Sequence, residues 1–86
     1  MKLLIGEQAR ADIAYWNRHD QAVTRRIRSL IENIMQTPYE GLGKPEPLKH
    51  DLQGKWSRRI NREHRLVYQV TGDAVIVISC RFHYEK

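Results

Sequence analysis

KWSRRINREHRLVYQVTGDAVIVISCRF, residues 55–82, is the stretch of sequence that decides the fold. Apolar and polar residues alternate through most of it with the period of two that is typical of β-strands. Polar residues at 61–63 and 71–73 interrupt the pattern, and both interruptions have the length of a tight turn. The sequence therefore predicts an antiparallel meander of three strands, at Lys55 to Ile60, Arg65 to Val70 and Ala74 to Phe82.

The parity of residues along these strands predicts which side chains share a face of the sheet. The face that packs against the rest of the protein is predicted to take the apolar set Leu66, Tyr68, Val70, Ala74, Ile76, Ile78, Cys80 and Phe82. A three-residue turn at 61–63 would place Arg59 opposite Arg65, with Ser57 opposite Val67 and Trp56 opposite Tyr68. The other face, expected to be open to solvent, then collects Arg59, Arg65, Arg81 and His83.

Two helices are predicted ahead of the strands. Ala9, Ile13 and Trp16 recur at the spacing of one helical face. Asp20 is a candidate N-cap for the second helix, whose apolar stripe is Val23, Ile27, Leu30, Ile31 and Ile34. The predicted fold class is therefore α+β, with two N-terminal helices packed on one face of a small antiparallel sheet.

Residues 37–55, TPYEGLGKPEPLKHDLQGK, contain all three prolines and three of the five glycines and have no helical or alternating pattern. We expect a long loop here. Structureless segments of this length are uncommon in small domains and are often functional, so this one is a candidate part of a site.

Length and composition predict one domain, residues 1–86, of an ordinary globular protein with 41% hydrophobic and 29% charged residues. No apolar run approaches the roughly 20 residues that span a bilayer, so no membrane association and a cytoplasmic location are expected. Cys80 is the single cysteine and excludes an internal disulfide. The four histidines have no paired ligand spacing, so neither a metal nor another cofactor is expected.

The formal net charge of +5 indicates an anionic partner, either a polyanion or an acidic protein. Seven cations and three acids lie between residues 44 and 65, so this quarter of the chain carries four of the five net charges. A charge run is more often a solvated face than a site. The interpretation as a site depends on the residues that accompany it.

Cationic side chains gathered around a histidine are suited to phosphate chemistry. Guanidinium groups hold phosphate oxygens through paired N–H donors, and an imidazole exchanges protons near neutral pH. RNA cleavage through the 2′-hydroxyl also needs a base, for which Glu46 in the proline-rich segment is a candidate. Residue types alone, however, support only a basic α+β domain that binds nucleic acid or an acidic protein.

The order of the residues adds a resemblance that covers essentially the whole chain. GKPEPLKHDLQGKWSRRINREHRLVYQV, residues 43–70, followed by SCRFHY, residues 79–84, resembles the YoeB (Txe/YoeB) toxins of the RelE superfamily. Several matched blocks in the right order are much more specific than one short motif. The resemblance implies the toxin of a bacterial toxin-antitoxin pair, an endoribonuclease that cuts mRNA in the ribosomal decoding site.

The resemblance also implies residue roles, each carried by a matched motif. Glu46 in KPEPLKH corresponds to the general base, His83 in FHY to the general acid, and Arg65 in EHRLVY to the residue that stabilises the scissile phosphate. Two further residues, Lys49 and Arg59, would assist in substrate binding, and Tyr84 would orient or stack on the substrate. Phe82 stands where relatives often have tyrosine, a difference of little consequence at a core-facing position.

The implied partners are mRNA on the 30S ribosomal subunit, a cognate antitoxin with an acidic disordered tail, and a second copy of the chain in a homodimer. An acidic tail suits a surface with net positive charge. The alternative is a non-catalytic toxin of the same scaffold that inhibits a protein such as DNA gyrase. A DNA-binding repressor is disfavoured, because no recognition-helix motif is present and the positive charge lies on strands.

Overall fold

A computed structural model describes residues 1–83 of the chain. Its elements are β1 (Lys2–Ile5), α1 (Glu7–His19), α2 (Gln21–Gln36), β2 (Glu46–Pro47), a 3-10 turn (His50–Leu52), β3 (Lys55–Arg59), β4 (Arg65–Val70) and β5 (Ala74–Ser79). The strands form one five-stranded sheet in the order β1-β5-β4-β3-β2. Both helices share a core with β4 and β5, which confirms the predicted α+β class. Neither helix has the length and apolar character needed to cross a bilayer.

Strands β1 and β2 extend the predicted meander at its two edges. β1 pairs with β5 in parallel, so the sheet is mixed rather than purely antiparallel. The chain leaves β1 at Gly6, where an added Cβ would lie 3.1 Å from the Val77 carbonyl oxygen. β2 pairs with β3 and gives an extended conformation to part of the segment expected to be a loop. β1 has four residues and β2 has two, and strands this short cannot be identified from a periodic pattern.

The second helix forms as predicted. One carboxylate oxygen of Asp20, Oδ1, accepts hydrogen bonds from the backbone N–H groups of Ala22 (3.1 Å) and Val23 (3.2 Å). The cap satisfies donors that the first helical turn leaves without an intrahelical partner. The stripe is buried at Val23, Ile27, Leu30 and Ile34, with Ile31 packed against it, and so anchors the helix to the sheet.

The predicted register between β3 and β4 is confirmed. Arg59 lies opposite Arg65, Ser57 opposite Val67 and Trp56 opposite Tyr68. Asn61 closes the connecting turn, because its side-chain oxygen accepts from the backbone N–H groups of Glu63 (2.9 Å) and His64 (2.8 Å). We call the side of the sheet that carries Tyr68 the helix face and the opposite side, which carries Arg65, the far face.

The predicted parity of β5 was wrong. Tyr68 pairs with Val77 but Val67 pairs with Ser79, so Ile78 is an extra residue in a β-bulge. Val75 and Val77, rather than Ile76 and Ile78, enter the core on the helix face. The bulge then shifts the alternation by one residue, which returns Cys80 to the core.

The last two residues assigned to β5 by parity also differ from expectation. The strand ends at Ser79, and Phe82 is 62% exposed with a left-handed φ of 65°, so it does not face the core. The Arg81 guanidinium lies over the ring of Tyr15 in α1, 3.5 Å from its centroid. Arg81 therefore contacts the helix layer and does not join the arginines of the far face.

Arg58 is one of the seven cations between residues 44 and 65, and it is buried. Its side chain is fully buried on the helix face, and its five N–H groups all donate hydrogen bonds. The acceptors are Tyr68 Oη (3.0 Å), Asn33 Oδ1 (2.8 Å) and the carbonyl oxygens of Leu42 (2.7 Å), Thr37 (2.8 Å) and Glu40 (3.1 Å). This guanidinium fixes the segment that follows α2 against the sheet.

Candidate active site

The far face brings together three of the residues proposed from the sequence. Glu46 pairs with Ser57, and Ser57 pairs with Val67, so these residues form one row across β2, β3 and β4. Arg59 and Arg65 form the next row on the same face, two residues along their strands. Strand spacing places the Cα atoms of Glu46 and Arg65 roughly 12 Å apart, within the combined reach of two long side chains. Glu46 and Arg59 are exposed, whereas Ser57 and Val67 are buried.

Arg65 is held by the turn that precedes its strand. Its Nη1 donates to the carbonyl oxygens of Asn61 (2.9 Å), Arg62 (3.3 Å) and His64 (3.1 Å). All three bonds use the same nitrogen. Arg65 is largely buried, with 8% of its surface exposed. The guanidinium is thus fixed through one nitrogen, and a guanidinium anchored in this way can hold phosphate oxygens through its other donors.

His83 reaches the same region through the segment that follows β5. The backbone N–H of Arg65 donates to the carbonyl oxygen of Phe82 at 3.1 Å. His83 is the next residue and is exposed. A carboxylate, a guanidinium and an imidazole are therefore carried by neighbouring parts of one surface, the combination that proton transfer around a phosphate requires.

Fewer contacts define the positions of the remaining predicted site residues. Lys49 is exposed and immediately precedes the 3-10 turn after β2, and its carbonyl oxygen accepts from the Leu52 N–H at 3.1 Å. Arg59 is exposed, and its carbonyl oxygen accepts from Arg26 Nη2 at 3.1 Å. Tyr84 lies outside the described residues. Within residues 1–83 no three His, Cys, Asp or Glu side chains are grouped as metal ligands.

Three residues that sequence reasoning missed hold the segment that leads to His83. Asp12 Oδ2 accepts from the Cys80 N–H (2.9 Å), and Trp16 Nε1 donates to the Cys80 carbonyl oxygen (2.8 Å). His64 Nδ1 accepts from the Phe82 N–H (2.7 Å). One signal was available, because Asp12 falls within the apolar stripe of α1 and a carboxylate buried there needs a partner.

Comparison with known proteins identifies the family. A family model described as the YoeB-like toxin of bacterial type II toxin-antitoxin systems matches residues 5–84. The chain belongs to this family. The toxin YoeB of Escherichia coli strain K12 is 51% identical over 84 residues, which cover 98% of this chain and 100% of that toxin.

Solved structures of YoeB toxins have the same fold. A YoeB/ParE toxin from Agrobacterium tumefaciens superposes with a TM-score of 0.94 at 50% identity, covering 98% of this chain and 100% of that one. Two Staphylococcus aureus structures, a YoeB dimer and a heterotetrameric YoeB-YefM toxin-antitoxin complex, have TM-scores of 0.90 and 0.88. Both are 40% identical and cover 98% of each chain. This member of the YoeB-like toxins therefore has the architecture that the resemblance implied.

Proposed function

We propose that the chain is a ribosome-dependent endoribonuclease that cleaves mRNA in the decoding site of the 30S subunit and thereby inhibits translation. The observation that carries this proposal is the bond from the Arg65 N–H to the Phe82 carbonyl oxygen, which places the residue before His83 beside Arg65. Glu46 lies on the same face of the sheet as Arg65. Membership of the YoeB-like toxins supports the toxin role.

In the proposed reaction the substrate supplies the nucleophile. The Glu46 carboxylate removes the proton of the 2′-hydroxyl, and the oxygen attacks the adjacent phosphorus. The bond to the 5′-oxygen breaks as that oxygen takes a proton from the His83 imidazolium. The products are a 2′,3′-cyclic phosphate and a free 5′-hydroxyl. Because no external nucleophile has to be generated, the reaction needs no metal ion.

Arg65 would stabilise the additional negative charge of the pentacovalent phosphorus. Its Nη1 is held by backbone carbonyl oxygens, so the guanidinium needs little reorganisation as charge develops. Lys49 and Arg59 would bind flanking phosphates as exposed cations, and Tyr84 would orient or stack on a base.

The experiment is a reconstituted translation reaction in which mRNA 5′ ends are mapped with ribosomes present and absent. The His83→Gln and Arg65→Ala proteins are compared with the wild type. We expect cleavage only with ribosomes and a loss of about 10²-fold or more in each variant, the size expected for loss of a proton-transfer group or a transition-state donor.

Arg25→Ala is the matched control, because Arg25 is an exposed cation on α2 whose loss changes net charge by the same amount as Arg65→Ala. Its cleavage rate should stay within about 3-fold of the wild type, since a distant exposed charge contributes mainly to encounter. Undiminished cleavage by His83→Gln would remove the catalytic assignment. Intact mRNA together with inhibition of DNA gyrase would support the non-catalytic alternative instead.

The proposal includes two protein partners. The Staphylococcus aureus structures contain a YoeB dimer and a YoeB-YefM complex. By similarity, this chain would form a homodimer in the cytoplasm and bind an antitoxin whose acidic disordered tail is attracted to the +5 surface. Sedimentation of the purified toxin tests the dimer, which should have about twice the 10.2 kDa mass of one chain. A single species of monomer mass would contradict it.

A further inference from the structure

The segment 80–82 that leads to the proposed acid is not stabilised by strand pairing. β5 ends at Ser79, and four hydrogen bonds from three other elements then hold the backbone of Cys80 and Phe82. Cys80 is bonded on both sides, by Asp12 and by Trp16 of α1. Phe82 is bonded by the Arg65 N–H and by the His64 ring. The position of residue 83 therefore depends on side chains far from it in sequence.

Phe82 is the residue in this segment that most needs external support. Its φ of 65° is left-handed, a conformation that costs a residue with a Cβ about 1–2 kcal/mol. Its side chain is 62% exposed, so core packing does not hold it. Its ring contacts the His64 ring at 5.9 Å between centroids and the Arg81 guanidinium at 4.6 Å, and the two hydrogen bonds are the contacts that fix its backbone.

His64 supplies one of these bonds, and its chemical state follows from the geometry. The Phe82 N–H can only donate, so His64 Nδ1, 2.7 Å away, must present a lone pair. The ring is therefore neutral, with its proton on Nε2, which lies 4.0 Å from the Glu63 carboxylate. Trp16 packs edge-on against the ring at 4.9 Å between centroids, and the His64 side chain is only 16% exposed.

His64 also contacts Arg65, the residue proposed to bind the phosphate. Its carbonyl oxygen accepts from Arg65 Nη1 at 3.1 Å. The backbone of this residue thus holds the guanidinium proposed to bind the phosphate, while its ring holds the residue before the imidazole proposed to donate the proton. His64 is therefore the residue whose side chain and backbone together link the two groups.

We propose that His64 is a positioning residue that, through its neutral Nδ1, fixes Phe82 and so aims His83 at the phosphate held by Arg65. This inference rests on the proposed ribonuclease function. His64 does not touch the substrate in this scheme. Its loss should lower the rate of the chemical step more than substrate binding, because misplacement of a catalytic group by about 1 Å can cost about 10²-fold.

The test uses two variants of nearly the same shape. Leucine and asparagine at position 64 both lack the ring, but only asparagine offers an acceptor oxygen near the place of Nδ1. In single-turnover cleavage at saturating ribosome-mRNA complex, we expect His64→Leu to be about 10- to 100-fold slower than the wild type and His64→Asn to be restored to within about 3-fold. Both variants should bind the complex with Kd within about 3-fold of the wild type.

Amide hydrogen exchange gives a readout that does not depend on activity. The Phe82 amide should lose protection in His64→Leu and keep it in His64→Asn, while amides of β4 stay protected in both. If His64→Leu fails to fold, His64→Gln replaces it, because glutamine brings its amide near the position of Nε2 rather than Nδ1. His64→Gln is then expected to be as slow as predicted for the leucine variant.

The outcomes separate this inference from the function on which it rests. If the wild type cleaves, His83→Gln does not, and His64→Leu cleaves at the wild-type rate, the ribonuclease stands and the positioning role is refuted. Equal losses in the leucine and asparagine variants would also refute it, because the effect would come from the ring rather than from the acceptor. If the wild type leaves mRNA intact in the presence of ribosomes, the proposed function fails and the inference fails with it.

Discussion

Arg58 and Arg65 lie on paired strands of one sheet and point to opposite faces, and they differ in how their donors are used. Arg58 is fully buried on the helix face and donates five hydrogen bonds within the protein. Arg65 on the far face is 8% exposed, and the three hydrogen bonds that its side chain donates within residues 1–83 all use Nη1. The first guanidinium can bind nothing more, so its role is structural. The second is anchored through one nitrogen within residues 1–83, an arrangement that suits the phosphate-binding role proposed for it.

The hydroxyl of Tyr68, also on the helix face, likewise finds its hydrogen-bond partners within the protein. It accepts from Arg58 Nε at 3.0 Å and donates to the Pro38 carbonyl oxygen at 2.6 Å. Burial raises the pKa of Tyr68, and the adjacent Arg58 guanidinium only partly offsets this effect. Polar groups on the helix face are satisfied internally and held in one state, whereas the proposed chemistry of the far face requires groups that change state.

The largest expected effect is the loss of stability in Arg58→Met. The substitution removes one donor from each of three carbonyl oxygens and two side-chain oxygens. The oxygens of Asn33, Glu40 and Thr37 each keep a second donor, whereas the Leu42 carbonyl oxygen and the Tyr68 hydroxyl lose the donor that Arg58 supplies. Unsatisfied buried acceptors cost about 1–3 kcal/mol each, partly relieved by water, so we expect the free energy of unfolding to fall by about 3–5 kcal/mol. In urea denaturation the midpoint should fall accordingly.

Arg59→Met, one residue along β3, is the matched control for Arg58→Met because Arg59 is exposed. Its free energy of unfolding should change by less than about 0.5 kcal/mol. Equal midpoints for the two variants would show that the buried guanidinium does not organise the segment after α2, and the distinction between the two faces would fail.

An intermediate effect on stability or activity is expected when lysine replaces Arg58 or Arg65. Lysine keeps the charge but has three donors on one nitrogen, so Arg58→Lys loses at least two bonds and about 2 kcal/mol of stability. At position 65 one ammonium cannot bind both the turn carbonyls and a phosphate, so cleavage should fall about 10-fold while stability changes by less than about 1 kcal/mol. Measured unfolding free energies and single-turnover rates for both proteins would test this. The prediction would be contradicted if the two variants lost stability and cleavage activity in the same proportion.

Local pattern was sufficient to predict much of the fold. The helix stripe, the Asp20 cap, the bounds of β4 and the β3–β4 register all follow from periodicity and one short turn. Strand alternation also predicts the direction of Arg58, because Arg58 is adjacent to Arg59 on β3 and so points to the opposite face, toward the helices. The count of charges over residues 44–65 does not distinguish the buried Arg58 from its exposed neighbours.

What the sequence could not provide depends on contacts between distant residues. The parallel pairing of β1 with β5 joins the two ends of the chain, and the bulge at Ile78 adapts β5 to β4 without a local signal. For the site, strand parity predicted that Arg59 and Arg65 share a face. It could not predict the bonds from Asp12, Trp16 and His64 that hold the segment before residue 83, because they come from α1 and the β3–β4 turn, far from that segment in sequence.

The smallest effect concerns Cys80, which the bulge places in the core on the helix face. Burial, and secondarily the Asp12 carboxylate, raises the pKa of the Cys80 thiol to about 12. Above an unfolded-state pKa near 9 the unfolded chain loses this proton while the folded chain keeps it, so stability falls as pH rises from 9 toward 12. Between pH 8 and pH 10 the wild type should lose about 1.4 kcal/mol through this group.

Cys80→Ala isolates this contribution, because lysines and tyrosines titrate in both proteins and cancel in the difference. The variant starts less stable at pH 8, having lost a buried side chain, but its free energy of unfolding should fall less steeply toward pH 10. Urea denaturation of both proteins at the two pH values measures the difference. Parallel pH dependences would mean that the thiol ionises as readily in the folded chain as in the unfolded one. The helix face would then not hold its ionisable groups in a single state, and its contrast with the far face would be reduced to hydrogen bonding alone.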